Sequence, residues 1–87
     1  MFGGDMTEVT LEAKNSMAGI LVDRFGRDII MIPKDGESFT CTVRVALSGQ
    51  FYGWLTALGK DIRIIAPETA VDGMRAVAQR LTEQYRP

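Results

Sequence analysis

The chain contains no histidine, a single cysteine (Cys41) and three prolines in 87 residues. Without histidine it lacks the side chain that most often serves as general base or zinc ligand. One thiol cannot close an internal disulfide, which fits a reducing, cytoplasmic compartment. Long apolar runs are missing too. Ile29 to Pro33 is far shorter than the roughly 20 residues that a spanning helix needs, and the N-terminus has no basic region followed by a long apolar stretch. Neither membrane insertion nor secretion is expected. Charge of one sign is also absent. Ten Lys+Arg against eleven Asp+Glu leave a formal charge of −1, so the whole-molecule field does not draw in a phosphate backbone or an anionic membrane.

What remains is an ordinary globular composition, 46% hydrophobic and 24% charged, which argues for a folded domain and against disorder. Thr7, Val9, Leu11 and Ala13 alternate with Glu8, Thr10 and Glu12, predicting a first strand with one buried face. Asn15 or Ser16 can cap a first helix carrying Met17, Ile20, Leu21 and Phe25 up to Gly26. Ile29-Ile30-Met31-Ile32 reads as a second strand, closed by Pro33 and turned by Lys34-Asp35-Gly36. The clearest alternation follows, with Phe39, Cys41, Val43, Val45 and Leu47 inward and Ser38, Thr40, Thr42, Arg44 and Ala46 outward.

Ser48 can cap a second helix with Phe51, Trp54, Leu55 and Leu58 as its apolar stripe, ended by Gly59. Ile62, Ile64 and Ala66 alternate with Arg63 and Ile65 as a fourth strand. Pro67 then suits the start of a last helix, which carries Val71, Met74, Val77, Ala78, Leu81 and Tyr85 on one side. The fold class expected is α+β, a ferredoxin-like β-α-β-β-α-β sandwich with an additional C-terminal helix. Helices cover one face of four antiparallel strands. Residues 1–6 are expected to be a connecting segment and 7–87 the domain.

Catalytic chemistry finds little support. Cys41 falls on the inward face of the third strand and reads as a small core hydrophobe. Glu8 and Glu12 read as solvated outer-face charges. No Gly-x-Gly-x-x-Gly or Walker run joins a strand to a helix. No metal site, cofactor or enzymatic activity is expected. The uncovered sheet face, carrying Thr10, Glu12, Thr40, Thr42, Arg44, Arg63 and Ile65, is either a solvated surface with Arg44 paired to a glutamate, or an interface to a domain, a second copy or a ligand. Tyr52 is the aromatic of the second helix expected to be exposed. The two central strands, first and third, show no outward aromatic on which bases could stack.

The run Phe51-Tyr52-Gly53-Trp54-Leu55-Thr56-Ala57-Leu58-Gly59, continuing through Ile62 to Ala66-Pro67 and a helix ending near Tyr85, resembles the C-terminal extension of bacterial WYL-domain transcriptional regulators. Val9-Thr10-Leu11, Asp23-Arg24-Phe25-Gly26 and Lys34-Asp35-Gly36 extend the likeness, and Met1-Phe2-Gly3-Gly4 resembles the segment that precedes this extension. The resemblance implies a regulatory domain that supports dimerisation and helps relay or form an effector site. It also implies upstream WYL and helix-turn-helix domains in the full-length protein, with DNA contacted only through the N-terminal one. The effector implied is a single-stranded nucleic acid or a small molecule, and Arg44, Arg63, Thr40, Thr42 and Tyr52 are the candidate effector or interface contacts. Two alternatives stand beside this reading. One is a stand-alone ferredoxin-like small-ligand module. The other is an acylphosphatase-like hydrolase, suggested by topology alone and lacking the Gly-rich anion loop.

Overall fold

A computed structural model describes residues 6–87. In chain order they form β1 (Met6–Lys14), a 3-10 turn, α1 (Ala18–Phe25), β2 (Met31–Pro33), β3 (Ser38–Ala46), α2 (Gly49–Ala57), a second 3-10 turn, β4 (Ile62–Ala66) and α3 (Glu68–Gln84). The four strands make one antiparallel sheet in the order β2-β3-β1-β4, so β1 and β3 are central as the sequence predicts. The proposed connecting segment, residues 1–6, lies outside the described residues except for Met6, which is the first residue of β1.

The two long alternating stretches find each other. β1 and β3 pair from Met6↔Ala46 through Lys14↔Ser38, a register that puts the apolar residues of both strands on one face, where a one-residue slip would turn one set outward. Val9, Leu11, Ala13, Phe39, Cys41, Val43, Val45, Ile62 and Ile64 are buried on that face against Leu21 of α1, Phe51 and Leu55 of α2, and Ala70 of α3. All three helices therefore contribute to one core, and the other sheet face is uncovered by them.

Several local expectations are corrected. β2 is confined to Met31–Pro33. A run of four apolar residues carries no alternation, so it marks hydrophobicity without marking where pairing begins. Pro33 is tolerated because β2 is an edge strand. Neither Asn15 nor Ser16 caps α1, whose cap position is Met17 with no side-chain hydrogen bond. Asn15 instead pins the β2–β3 turn, its backbone N–H donating to Glu37 O at 2.9 Å and its Nδ2 to Gly36 O at 3.1 Å.

That turn also buries Ser38, a residue read as outward. Asp35 Oδ1 accepts from Ser38 N at 2.8 Å, from Ser38 Oγ at 2.9 Å and from Glu37 N at 2.8 Å. Ser48 caps α2 as expected, accepting from Phe51 N at 3.3 Å, and Gly59 takes a φ of +88° where the chain turns toward β4.

α3 keeps Val71, Met74 and Val77 against the core but leaves Ala78 and Tyr85 exposed. Seventeen residues of helix extend about 25 Å. Five residues of β4 extend about 17 Å, so the helix outruns the strand on which it packs. Ala70, the fully buried residue of α3, was hidden from the sequence by its small size.

Candidate functional site

The uncovered face is built from alternate residues of three strands. Cross-strand register sets Glu8 opposite Arg44, Thr10 opposite Thr42, Glu12 opposite Thr40, and on the other side Glu12 opposite Arg63. Thr10 and Thr42 meet through their hydroxyls at 3.3 Å. Pairing between β1 and β4 shifts register between Thr10 and Leu11, a bulge, and Ile65, outward by alternation on β4, is exposed.

Glu12 organises one end of the face. Its Oε1 accepts from Arg63 Nε at 2.9 Å, with Arg63 Nη2 at 2.8 Å, and its Oε2 accepts from Lys34 Nζ. These bonds, Lys34 first and then Arg63, hold the Glu12 carboxyl below its ordinary 4.5. Glu12 is therefore not the free solvated charge that alternation suggests: it ties the β2–β3 hairpin to β4 across the sheet. Lys34, read from sequence as a turn residue, is a member of the cluster that sequence reasoning missed. Only the strand register brings it to Glu12.

The two candidate arginines thus have different surroundings. Arg63 is committed to Glu12. Arg44 is exposed, and among the described residues no carboxylate lies within ion-pair distance of it. The glutamate pairing expected for Arg44 is found at Arg63 instead. Thr42 is exposed beside Arg44 and Thr40 is half-buried. A cleft of about 540 Å³ runs past Arg44 and is lined also by Glu8, Asp28, Ile30, Ile32 and Thr42.

Tyr52 is not part of this face. It is buried, and its hydroxyl donates to Ala70 O at 3.3 Å. The expectation of an exposed Tyr52 fails because α3 crosses against α2 and widens the buried arc of that helix to Phe51, Tyr52 and Leu55. Gly73 on α3 makes room for the phenol. Trp54 is the half-buried aromatic, set edge-on to Phe25 at 5.6 Å with the Arg24 guanidinium 5.0 Å from its ring.

Other features define what the chemistry is. Cys41 is buried, and desolvation raises its thiol above the ordinary 9.0, which opposes the thiolate a nucleophile needs. Among the described residues no three His, Cys, Asp or Glu side chains gather to hold a metal ion. No helix of the described residues is long and apolar enough to cross a membrane.

Fold and face together define a small α+β domain with one sheet face under helices and one open. The family model for the WCX domain matches residues 5–82, and the chain belongs to that family. Membership points to the C-terminal extension of WYL-type regulators. No curated protein matches the chain.

Proposed function

We propose that the chain is the regulatory and dimerisation segment at the C-terminal end of a bacterial WYL-type transcriptional regulator, working in the cytoplasm by binding and not by catalysis. The observation that carries this reading is the WCX match across residues 5–82. On this reading the strand order β2-β3-β1-β4 is the ferredoxin-like arrangement with α3 added. The partners are a second copy of the chain and the WYL and helix-turn-helix domains of the full-length protein, the last of which contacts DNA.

The effector, a single-stranded nucleic acid or a small molecule, meets the open face at Arg44, with the Thr40 and Thr42 hydroxyls beside it. Arg44 is preferred to Arg63 because binding there breaks no existing ion pair. The test is a thermal melt in the presence of short single-stranded oligonucleotides, nucleotides and amino acids. A ligand at 100 times its Kd adds about 2.7 kcal/mol of stability, and this shift is expected to disappear in Arg44→Ala. For an oligonucleotide it should also weaken steeply with salt. No shift across the panel overturns the effector role.

A second reading, a stand-alone small-ligand module, is favoured by one feature. A cleft of about 360 Å³ between α2, β4 and α3 is lined by Leu55, Ile62, Ile64, Val71 and Met74, within the size range of small-molecule sites. A melting shift with an amino acid that survives Arg44→Ala would select this reading.

A further inference from the structure

The cleft of about 540 Å³ beside Arg44 carries charges of both signs next to an apolar wall. Ile32 pairs with Thr40 at the sheet edge and is 59% exposed; Ile30, two residues earlier, lines the same cleft and is 71% exposed. Two large aliphatic side chains left together in water are surface that a ligand gains by covering. Along β3 the outward Thr40 and Thr42 lead from Ile32 to Arg44.

The charged groups here are uncommitted. Register makes Glu8 the cross-strand neighbour of Arg44, and Asp28, from the connection between α1 and β2, lines the cleft as well. Among the described residues, no opposite charge lies within ion-pair distance of Glu8, Asp28 or Arg44. The other end of the face is the reverse, since Glu12 there takes up both Lys34 and Arg63.

This pattern discriminates between ligands. A single-stranded nucleic acid is held by a groove whose cations follow its phosphates, whereas this cleft sets two carboxylates around one guanidinium and repels a second phosphate. A ligand with one carboxylate, one ammonium group and an apolar body has the complementary pattern. We infer that the effector is a free α-amino acid with a branched aliphatic side chain, of the leucine type. This deepens the effector role proposed for Arg44 and rests on it, choosing the small molecule of the two chemistries. Arg44 takes the carboxylate, which matches the planar fork of a guanidinium. The carboxylate and ammonium of an α-amino acid sit on one carbon, so their partners must be neighbours. Glu8 meets that requirement, because residues directly opposite on paired strands stand about 5 Å apart at Cβ. Asp28 adds to the negative field around the ammonium, and the alkyl group covers Ile30 and Ile32. The cleft falls within the roughly 300–1,000 Å³ of small-molecule sites.

Titration of the chain with leucine, isocaproate, isoamylamine and glycine, followed by calorimetry and by melting shift, tests this. Leucine is expected to bind. The other three lack the ammonium, the carboxylate and the side chain respectively, and each should bind about tenfold or more weakly. Arg44→Ala should weaken leucine by about tenfold or more without weakening isoamylamine, which has no carboxylate to lose. Glu8→Gln should weaken leucine without weakening isocaproate. Both positions are exposed, and a general loosening of the fold would not produce this crossed pattern. No binding of leucine at millimolar concentration overturns the proposal. If an oligothymidylate then binds and loses affinity in Arg44→Ala, the ligand class falls and the effector role stands; if it does not bind either, both fall. Leucine binding that Arg44→Ala leaves unchanged also overturns the proposal, moving the amino acid to the cleft between α2, β4 and α3.

Discussion

Gly73 on α3 packs so closely against Tyr52 on α2 that a methyl group at position 73 would lie 2.0 Å from the Tyr52 hydroxyl oxygen and 2.7 Å from its ring carbon Cζ. Two effects of opposite sign therefore meet at Gly73→Ala. Alanine in a helix interior is favoured over glycine by about 1 kcal/mol. Overpacking against a buried ring costs about 1–3 kcal/mol, and Tyr52 cannot simply move, because its hydroxyl is bonded to Ala70 O and its ring is buried. The clash is expected to win, lowering Tm by several degrees at about 4–8 °C per kcal/mol for a domain of this size. In a Tyr52→Phe background the contact with the oxygen vanishes and part of the loss should return. A higher Tm for Gly73→Ala alone would show that α3 is not fixed on α2 as described.

Tyr52 also marks where the sequence stops being legible. Alternation along β1 and β3 named the inward residues Val9, Leu11, Ala13, Phe39, Cys41, Val43 and Val45 correctly, because a period of two is a property of the chain itself and each strand has one buried face. The burial of Tyr52 depends on a helix that begins sixteen residues later, and no local period encodes it. Its trace in the sequence is Gly73, which carries meaning only once α2 and α3 are known to touch. The open face divides in the same way. Arg44 and Arg63 were both legible as outward, but which of them holds Glu12 depends on the β1–β4 register and on Lys34 arriving from the hairpin.

Acid should loosen the sheet end and the β2–β3 turn together. Glu12 is held below its ordinary 4.5 by Lys34 and Arg63, and Asp35 below its ordinary 3.8 by the backbone N–H of Glu37 and by Ser38. Groups with lowered folded-state pKa values stabilise above their unfolded values and lose that contribution as pH falls through the folded ones. Tm should be level above about pH 5 and fall on further acidification. Combining Glu12→Gln with Asp35→Asn should lower Tm at neutral pH and flatten the acid limb. An unchanged acid limb in the double variant would assign the loss to other carboxylates.

Cys41 should behave as core. Its thiol is buried beside Phe39 and Val43 on the inner face, and burial raises its pKa. A thiol-specific disulfide reagent at pH 8 is expected to react with the native chain only at the rate of unfolding, and completely within the mixing time in denaturant, since the thiolate is the reactive form. Rapid reaction of the native protein would place Cys41 at an accessible surface and reopen the nucleophile reading. Cys41→Ala, which removes only the sulfur, should fold and retain any effector response.

Ser48 and α2 offer a test of how the second helix is started. Ser48 has extended backbone angles and accepts the Phe51 N–H at 3.3 Å, so Ser48→Ala leaves that donor without its side-chain partner. The cost expected is about 0.5–2 kcal/mol, whereas Ser48→Asp, which keeps an acceptor and adds a negative charge at the helix N-terminus, should be neutral or stabilising. The contrast with Asn15 is informative, because both residues read as caps in the sequence and only Ser48 is one. Asn15→Ala should therefore leave the start of α1 intact and act on the β2–β3 turn, where its Nδ2 bond to Gly36 O is lost. Amide exchange at Lys34 and Asp35, whose N–H groups both bond to Ser38 O, is the measurement that separates the two. Faster exchange there, with exchange at Leu21 and Val22 unchanged, is expected for a pinned turn; the reverse would restore Asn15 to the role of helix cap.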